Sequence, residues 1–206
     1  MLYDLSPRVD SSLPVWPGDT PFSARLAWSI ADGATVNLTT LTTTPHLGAH
    51  ADAPFHTEAD GAGIDELPLD PYLGPCRVVE VPPEPLIRPE HLGVLDLATT
   101  PRLLLKTGSV TDPTRFPEQF SALSPELAQA LVAAKVKLVG LDTPSVDPFD
   151  SKTLDAHHLL FRGGVANLEG LRLEHVPPGE YELIALPLRL AGLDASPVRA
   201  VLRTLG

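Results

Sequence analysis

Residues 124–146 read SPELAQALVAAKVKLVGLDTPSV. Ser124 followed by Pro125 is a helix start, with a hydroxyl at the N-cap and a ring whose fixed φ suits the first turn. The helix runs on through LAQALVAAK, which contains no breaker. KLVGLDTPSV (137–146) then reads as a buried strand that ends in a loop. A helix feeding a buried strand belongs to a domain that mixes the two element types.

Working outward, PCRVVEVP (75–82) and RLLLKT (102–107) are strands by β-branched or apolar content and by their flanking breakers. Residues 26–43, LAWSIADGATVNLTTLTT, read as a hairpin around Asp32-Gly33. LYDL (2–5) can open a sheet, and WPGD (16–19) is a turn. A loop rich in Pro, Gly, Asp and His spans Pro45 to about Leu69. Downstream, Ser151 to Arg162 forms a short helix stopped by Gly163-Gly164. YELIALPLRL (181–190) is a strand, and SPVRAVLRTL (196–205) is expected to close the chain as a helix. Together these give an α/β or mixed α+β class, one domain over residues 1–206, with few short helices.

Bulk composition agrees and excludes several roles. Hydrophobic residues make up 43% of 206, enough for a real core. The 23 prolines and 15 glycines favour turns and short strands over long helices. Net charge is -11, and no Lys/Arg cluster offers the footprint of a nucleic-acid or membrane binder. Cys76 stands alone, so no internal disulfide forms, and its place in a strand reads as a small core residue. No apolar run reaches the roughly 20 residues of a membrane span, and no signal peptide is visible, so the cytoplasm is the expected compartment.

Five of the seven histidines fall in two short windows. In the first, PHLGAHADAPFH (45–56), His46, His50, Asp52 and His56 share one parity. In an extended chain they point to one face. Ten extended steps would span roughly 33 Å, too far for one site, so the chain must bend, with Gly48 and Pro54 as the candidate bends. Imidazoles with a carboxylate suit zinc, manganese or a similar divalent ion, and Asp52 has two oxygens with which to bridge two ions. A solvated polar loop is the plain alternative.

The second window is DAHH (155–158) on the short helix, followed by Glu169 in VANLEGL. Adjacent helical residues diverge by about 100°, so only one of His157 and His158 can face a site. Glu169 lies in an apolar segment, where a buried carboxylate needs a partner, although a strand-end Glu in water is common. Lys106, Asp142 and Asp147 read as structural or as supports for other groups. His91 and His175 read as solvent-facing.

Taken with GIDELPLDPYLG and LDTPSVDP, the motifs HLGAHADAPFH and HHLLFRGGVANLEGL resemble the cyclase family of metal-dependent hydrolases, over nearly the full length. Within it the chain is similar to the bacterial kynurenine formamidase (arylformamidase) branch. The resemblance implies a compact swivel-type β/α domain with a mixed sheet, assembled as a homodimer. It implies two divalent metal ions, Zn2+ first and Mn2+ as an alternative. His46, His50 and Asp52 would bind one; Asp52, His157 and Glu169 would bind the other. His157 is preferred to His158 because the family's His precedes its Glu by twelve residues. His56 would be the general acid/base, and Trp16 would line the substrate pocket. Ala49 stands where the family often has Thr, so no hydroxyl is available there.

The implied substrate is N-formyl-L-kynurenine, hydrolysed to formate and kynurenine. The residues suit that chemistry. A divalent ion brings the pKa of water it holds to about 7 and polarises a carbonyl. His56, with a reference pKa near 6.5, can relay the proton that the departing arylamine requires. His56 as a further ligand beside His46 is the competing reading. No G-x-S-x-G elbow supports a serine mechanism. A hydrolase of another amide such as isatin, or a metal-binding domain without catalysis, are the rival functions.

Overall fold

The computed structural model describes residues 1–112 and 114–205. Up to the first α-helix the strands are β1 (Leu2–Asp4), β2 (Ser23–Trp28), β3 (Leu38–Thr42), β4 (His50–Asp52), β5 (Leu73–Glu80), β6 (Leu86–Ile87), β7 (Arg102–Lys106) and β8 (Ala122–Leu123). There follow α1 (Pro125–Ala133), β9 (Leu138–Leu141), α2 (Asp155–Arg162), β10 (Ala166–Leu168), β11 (Gly179–Ile184), β12 (Ala195–Pro197) and β13 (Val201–Thr204). Seven strands form one mixed sheet in the order β1-β13-β11-β5-β7-β9-β10. The four from β5 to β10 run parallel, and β1, β13 and β11 add antiparallel neighbours.

Strands β7 and β9 are buried without alternation because both faces of the sheet are covered there. On one face Leu103, Leu105, Val139 and Leu141 pack under α1 and α2, against Leu127, Leu131, Ala156 and Leu160. On the other, Leu104 and Leu138 join Cys76, Val78, Leu183 and Leu202, and this second core reaches Ala49, Ala51 and Ala53 of the histidine-rich loop. The loop is thereby anchored to the sheet through its small apolar residues, which leaves its polar ones for the opposite side.

Helix α1 starts as read, with Ser124 Oγ accepting from Leu127 N–H at 3.2 Å. Helix α2 is shorter than the Ser151 start implies. Leu154 adopts a left-handed φ of 47°, which a helix cannot contain, so the helix begins at Asp155. The expected C-terminal helix is absent. SPVRAVLRTL is instead β12 and β13, because Val198, Ala200 and Leu202 are buried while Arg199 and Arg203 are exposed, a period of two. β11 stops at Ile184, three residues ahead of Pro187, which lacks a ladder donor. The 26–43 hairpin forms as β2 and β3, with a bulge between Leu26 and Trp28. Neither of its faces is covered by the rest of the chain: Leu26, Trp28, Leu38 and Leu41 are all exposed. Among the described residues no helix is long and apolar enough to cross a membrane.

Candidate metal centre

Strand β4 is held on both edges. Its Asp52 and His50 pair with Ala195 and Pro197 of β12. On the other edge His50 exchanges backbone hydrogen bonds with Glu169, N–H to O at 3.2 and 3.0 Å. The contact is close because both turning residues are glycines. Gly170 has φ +65°, and a Cβ there would lie 2.2 Å from the carbonyl oxygen of Gly48, itself at φ +61°. That close approach brings Glu169 to the first window. After β4 the chain bends through a 3-10 turn at Pro54–His56 and returns His56 to the same side.

The result is a cluster of six groups. His46 Nδ1 lies 2.9 Å from Asp52 Oδ1, and His50 Nε2 lies 3.4 Å from both Asp52 Oδ1 and Glu169 Oε2. His157 Nε2 lies 3.4 Å from Asp52 Oδ2 and 3.3 Å from Glu169 Oε1. His56 sits at the rim, its ring 4.4 Å from that of His46 and 5.7 Å from that of His157. His158 is turned away, with Nδ1 3.6 Å from Glu58. Trp16 packs against Phe116 and Phe149, each at 5.1 Å, and lines a cavity of about 570 Å³ that opens onto His46, His50, His56, His157 and Glu169.

Each inward imidazole uses its second nitrogen on an acceptor outside the cluster. His50 Nδ1 meets the Gly48 carbonyl at 2.9 Å, His157 Nδ1 meets Asp147 Oδ2 at 2.7 Å, and His46 Nε2 meets Asp194 Oδ2 at 2.9 Å. Such an acceptor fixes the tautomer and presents the other nitrogen's lone pair inward, the arrangement found behind metal-binding histidines. Asp147 also caps α2, accepting from the N–H groups of Ala156 and His157. The cap replaces Leu154, which has no side-chain acceptor, and so fixes the helix that carries His157.

The carboxylates are equally organised. Asn167, fully buried, donates from one amide nitrogen to Asp52 Oδ2 at 2.7 Å and Glu169 Oε1 at 3.1 Å. Val146 N–H adds a bond to Glu169 Oε1 at 2.8 Å. Asp52 Oδ1, by contrast, is buried and has no hydrogen-bond donor, although His46 Nδ1 is close. An unsatisfied buried carboxylate oxygen is costly. Here it faces two inward imidazole nitrogens, which is what ligands to a common cation do.

Charge follows the same logic. Burial opposes ionisation of Asp52, yet His50, His157 and His46 hold its pKa well below the ordinary range. Burial and Asp52 both work against the Glu169 carboxylate, and His157 with His50 outweigh them. Burial disfavours each imidazolium in turn. Even so, Asp52 and Asp194 raise His46 to about 9, Asp52 and Glu169 raise His50, and Asp147, Asp52 and Glu169 raise His157 well above its usual value. The rings and the two buried carboxylates thus each favour the other's charged form. A divalent cation would compensate those carboxylates while accepting the ring lone pairs. Two groups have ligand atoms within 4.8 Å of one another and share Asp52: His46, His50 and Asp52, and Asp52, His157 and Glu169. The residues fit a pair of cations.

Asn167 and Asp194 have no place in the sequence reading. Asn167 is two residues from Glu169 on a strand, so shared parity was the available signal. Asp194 lies 138 residues from His56, and only the pairing of β12 with β4 brings it near. His91 is half-buried, and its Nδ1 accepts from Arg88 N–H at 3.2 Å.

The sequence profile of the Cyclase family matches residues 3–148. The chain belongs to that family. Solved structures agree in fold across the whole length. One described as a potential metal-dependent hydrolase with cyclase activity is 27% identical, with a TM-score of 0.86, covering 98% of this chain and 96% of its own. A predicted metal-dependent hydrolase from Bacillus stearothermophilus is also 27% identical, with a TM-score of 0.84 and coverages of 98% and 97%. Isatin hydrolase A from Ralstonia solanacearum shares the fold at 20% identity, with a TM-score of 0.83 and coverages of 98% and 91%. This member of the Cyclase family has their mixed sheet, and the matched segment contains the first histidine window but not the second.

Proposed function

We propose that this Cyclase-family protein is a hydrolase of aryl amides that works with two divalent cations, and that N-formyl-L-kynurenine is its substrate. One observation carries the reading: two ligand sets share buried Asp52, and their His46, His50, His157 and Glu169 line a cavity walled by Trp16 and Phe116. His46, His50 and Asp52 would hold one cation, and Asp52, His157 and Glu169 the other, with Zn2+ or Mn2+ suited to the nitrogen and oxygen donors. Bound there, such ions supply Lewis-acid polarisation of a carbonyl and a nucleophile from water near neutral pH.

The chain's own residues supply the rest. Trp16 offers its ring to the aryl group of the substrate, which sets the amide over the cluster. His56 Nδ1 is engaged by Asp194 at 3.3 Å, which leaves Nε2 to take a proton from the attacking water and return it to the departing nitrogen. The three flanking acceptors, Gly48 carbonyl, Asp147 and Asp194, hold the four rings in place, so little reorganisation accompanies the reaction.

A homodimer completes the proposal. A two-stranded hairpin with both faces in water is marginally stable by itself. The exposed Leu26, Trp28, Leu38 and Leu41 of β2 and β3 give it reason to pack on a second copy.

A second reading is supported by the fold shared with isatin hydrolases: ring opening of a cyclic aryl amide in the same cavity. Parallel assays of the cation-loaded protein on N-formyl-L-kynurenine and isatin, with elemental analysis, test both. The formamidase reading expects kcat/KM at least about tenfold higher for the formyl compound and roughly two ions per chain. Preference for isatin establishes the second reading, and one ion per chain removes the binuclear one.

A further inference from the structure

Asp194 stands just before β12, and its backbone carbonyl accepts from Ala53 N–H at 2.8 Å. This fixes it opposite the bend that carries His56. One of its oxygens, Oδ2, lies 2.9 Å from His46 Nε2 and 3.3 Å from His56 Nδ1. The two imidazoles thus share one acceptor, and their rings lie 4.4 Å apart. Both nitrogens can donate to it only if each ring carries its proton on that side. His46 is then left with Nδ1 facing Asp52, and His56 with Nε2 as its free nitrogen.

We propose that Asp194 is a positioning residue: its Oδ2 selects the Nδ1–H tautomer of His56 and holds that ring in register with His46, so that Nε2 serves in proton transfer. The inference rests on the hydrolase reading for what the ring does, and on geometry alone for how it is held. It follows the logic of a carboxylate behind a proton-transferring imidazole, where the acid orients the ring and sets its tautomer without itself reacting. Here the same carboxylate also steadies a ligand histidine, which locks the proton-transfer group to the cation site. His46, His56 and Asp194 also lie close enough to hold a cation themselves. That arrangement would require His46 to give up both ring nitrogens, since Nδ1 already faces Asp52 at 2.9 Å.

The test combines a tautomer measurement with a double-mutant cycle. In zinc-loaded protein labelled with 15N-histidine, the His56 ring should carry its proton on Nδ1. In Asp194→Ala it should move to the Nε2–H form that free imidazole favours. Asp194→Asn keeps an oxygen acceptor and should retain the Nδ1–H form. With substrate, Asp194→Ala should lower kcat by about 10–10²-fold and leave KM within about twofold, with cation content unchanged. Placed in a His56→Ala background, it should change kcat by less than about twofold, because the group it positions is gone. Three results overturn the proposal: an unchanged His56 tautomer in Asp194→Ala, loss of a cation from that variant, or a full additive loss on top of His56→Ala. The tautomer arm uses no substrate. A wild-type protein inactive on every amide would sink the hydrolase reading, while Asp194 would still be judged by the ring it holds.

Discussion

The two ends of the histidine cluster differ in their access to water. Asp52, His157 and Glu169 have side chains 1–4% exposed, whereas those of His56 and Asp194 are 31% and 35% exposed. At the buried end every charge must be compensated inside the protein, because water is not there to do it. Asn167, Asp147, Val146 N–H and the imidazoles take up that task, and one oxygen, Asp52 Oδ1, is still without a hydrogen bond. At the exposed end the same residue types can exchange protons with solvent and need only be aimed. The contrast teaches that one motif, HxxxHxDxxxH, is divided by burial into a part that must compensate charge internally and a part open to solvent.

The most severe break of this contrast is at the residue the two ligand sets share. Asp52→Asn keeps the shape and a contact to Asn167 but loses the charge both sets use. We expect cation content to fall from roughly two per chain to one at most, and kcat to fall by about 10⁴-fold or more, since both activation of the carbonyl and supply of the nucleophile are lost together. Elemental analysis with steady-state kinetics checks this. A variant that keeps two ions would show that Asp52 is not the bridge.

His157→Ala is a narrower break at the buried end. It removes one ligand and leaves the charge of Asp147 without its ring. One ion should be lost and one retained, with kcat lower by at least the roughly 10–100-fold that loss of a partner behind a metal ligand costs, since here a ligand itself is removed. Retention of both ions would move the second set elsewhere.

Much of this arrangement is visible in the sequence, and the omissions have physical causes. The shared parity of His46, His50 and Asp52 and the apolar setting of Glu169 were local signals, so the windows could be picked out without a fold. The strands at 102–107 and 137–141 were legible because burial on both faces leaves apolar runs, and the one at 75–82 by its β-branched residues between breakers. The C-terminal segment was misread because Val198, Val201, Leu202 and Leu205 repeat at helical spacing, so the apolar pattern suits a short helix as well as a strand. Pairing of β12 with β4 and of β13 with β11, a long-range fact, decides between them. Asp194 was invisible for the same reason: its partners come from the other end of the chain.

The exposed end can be probed by removing cations from the wild-type protein. With the ions chelated, His46 is held at about 9 against a usual 6.5; burial alone would lower it, and Asp52 and Asp194 outweigh that cost. A raised folded value contributes stability that is fully present below the unfolded value and is lost as pH rises through the folded one. Chelated protein should therefore lose stability between pH 6.5 and 9, by roughly 3 kcal/mol for this one group, or on the order of 6–12 °C in Tm. The cation-loaded protein has no proton to lose at His46, and its Tm should be nearly flat over the same range. Thermal melts at both pH values, with and without chelator, decide it. Equal slopes in the two forms would mean that His46 is not a ligand.

The smallest expected effect sharpens the contrast most, because it concerns the neighbour of a buried ligand. His158 follows His157 on α2, and adjacent helical side chains diverge by about 100°. It points to Glu58, 3.6 Å away, and its Nδ1 is buried without a hydrogen bond. A ring in that state contributes little, since any attraction to Glu58 is offset by the unsatisfied nitrogen. His158→Ala should keep two ions, change kcat by less than about threefold, and alter stability by less than about 1 kcal/mol. His157→Ala, one residue away, should lose an ion under the same conditions. If the two variants lose the same ion, α2 presents both rings to the cluster, and the division between charge-holding and solvent-facing residues fails at the helix that best displays it.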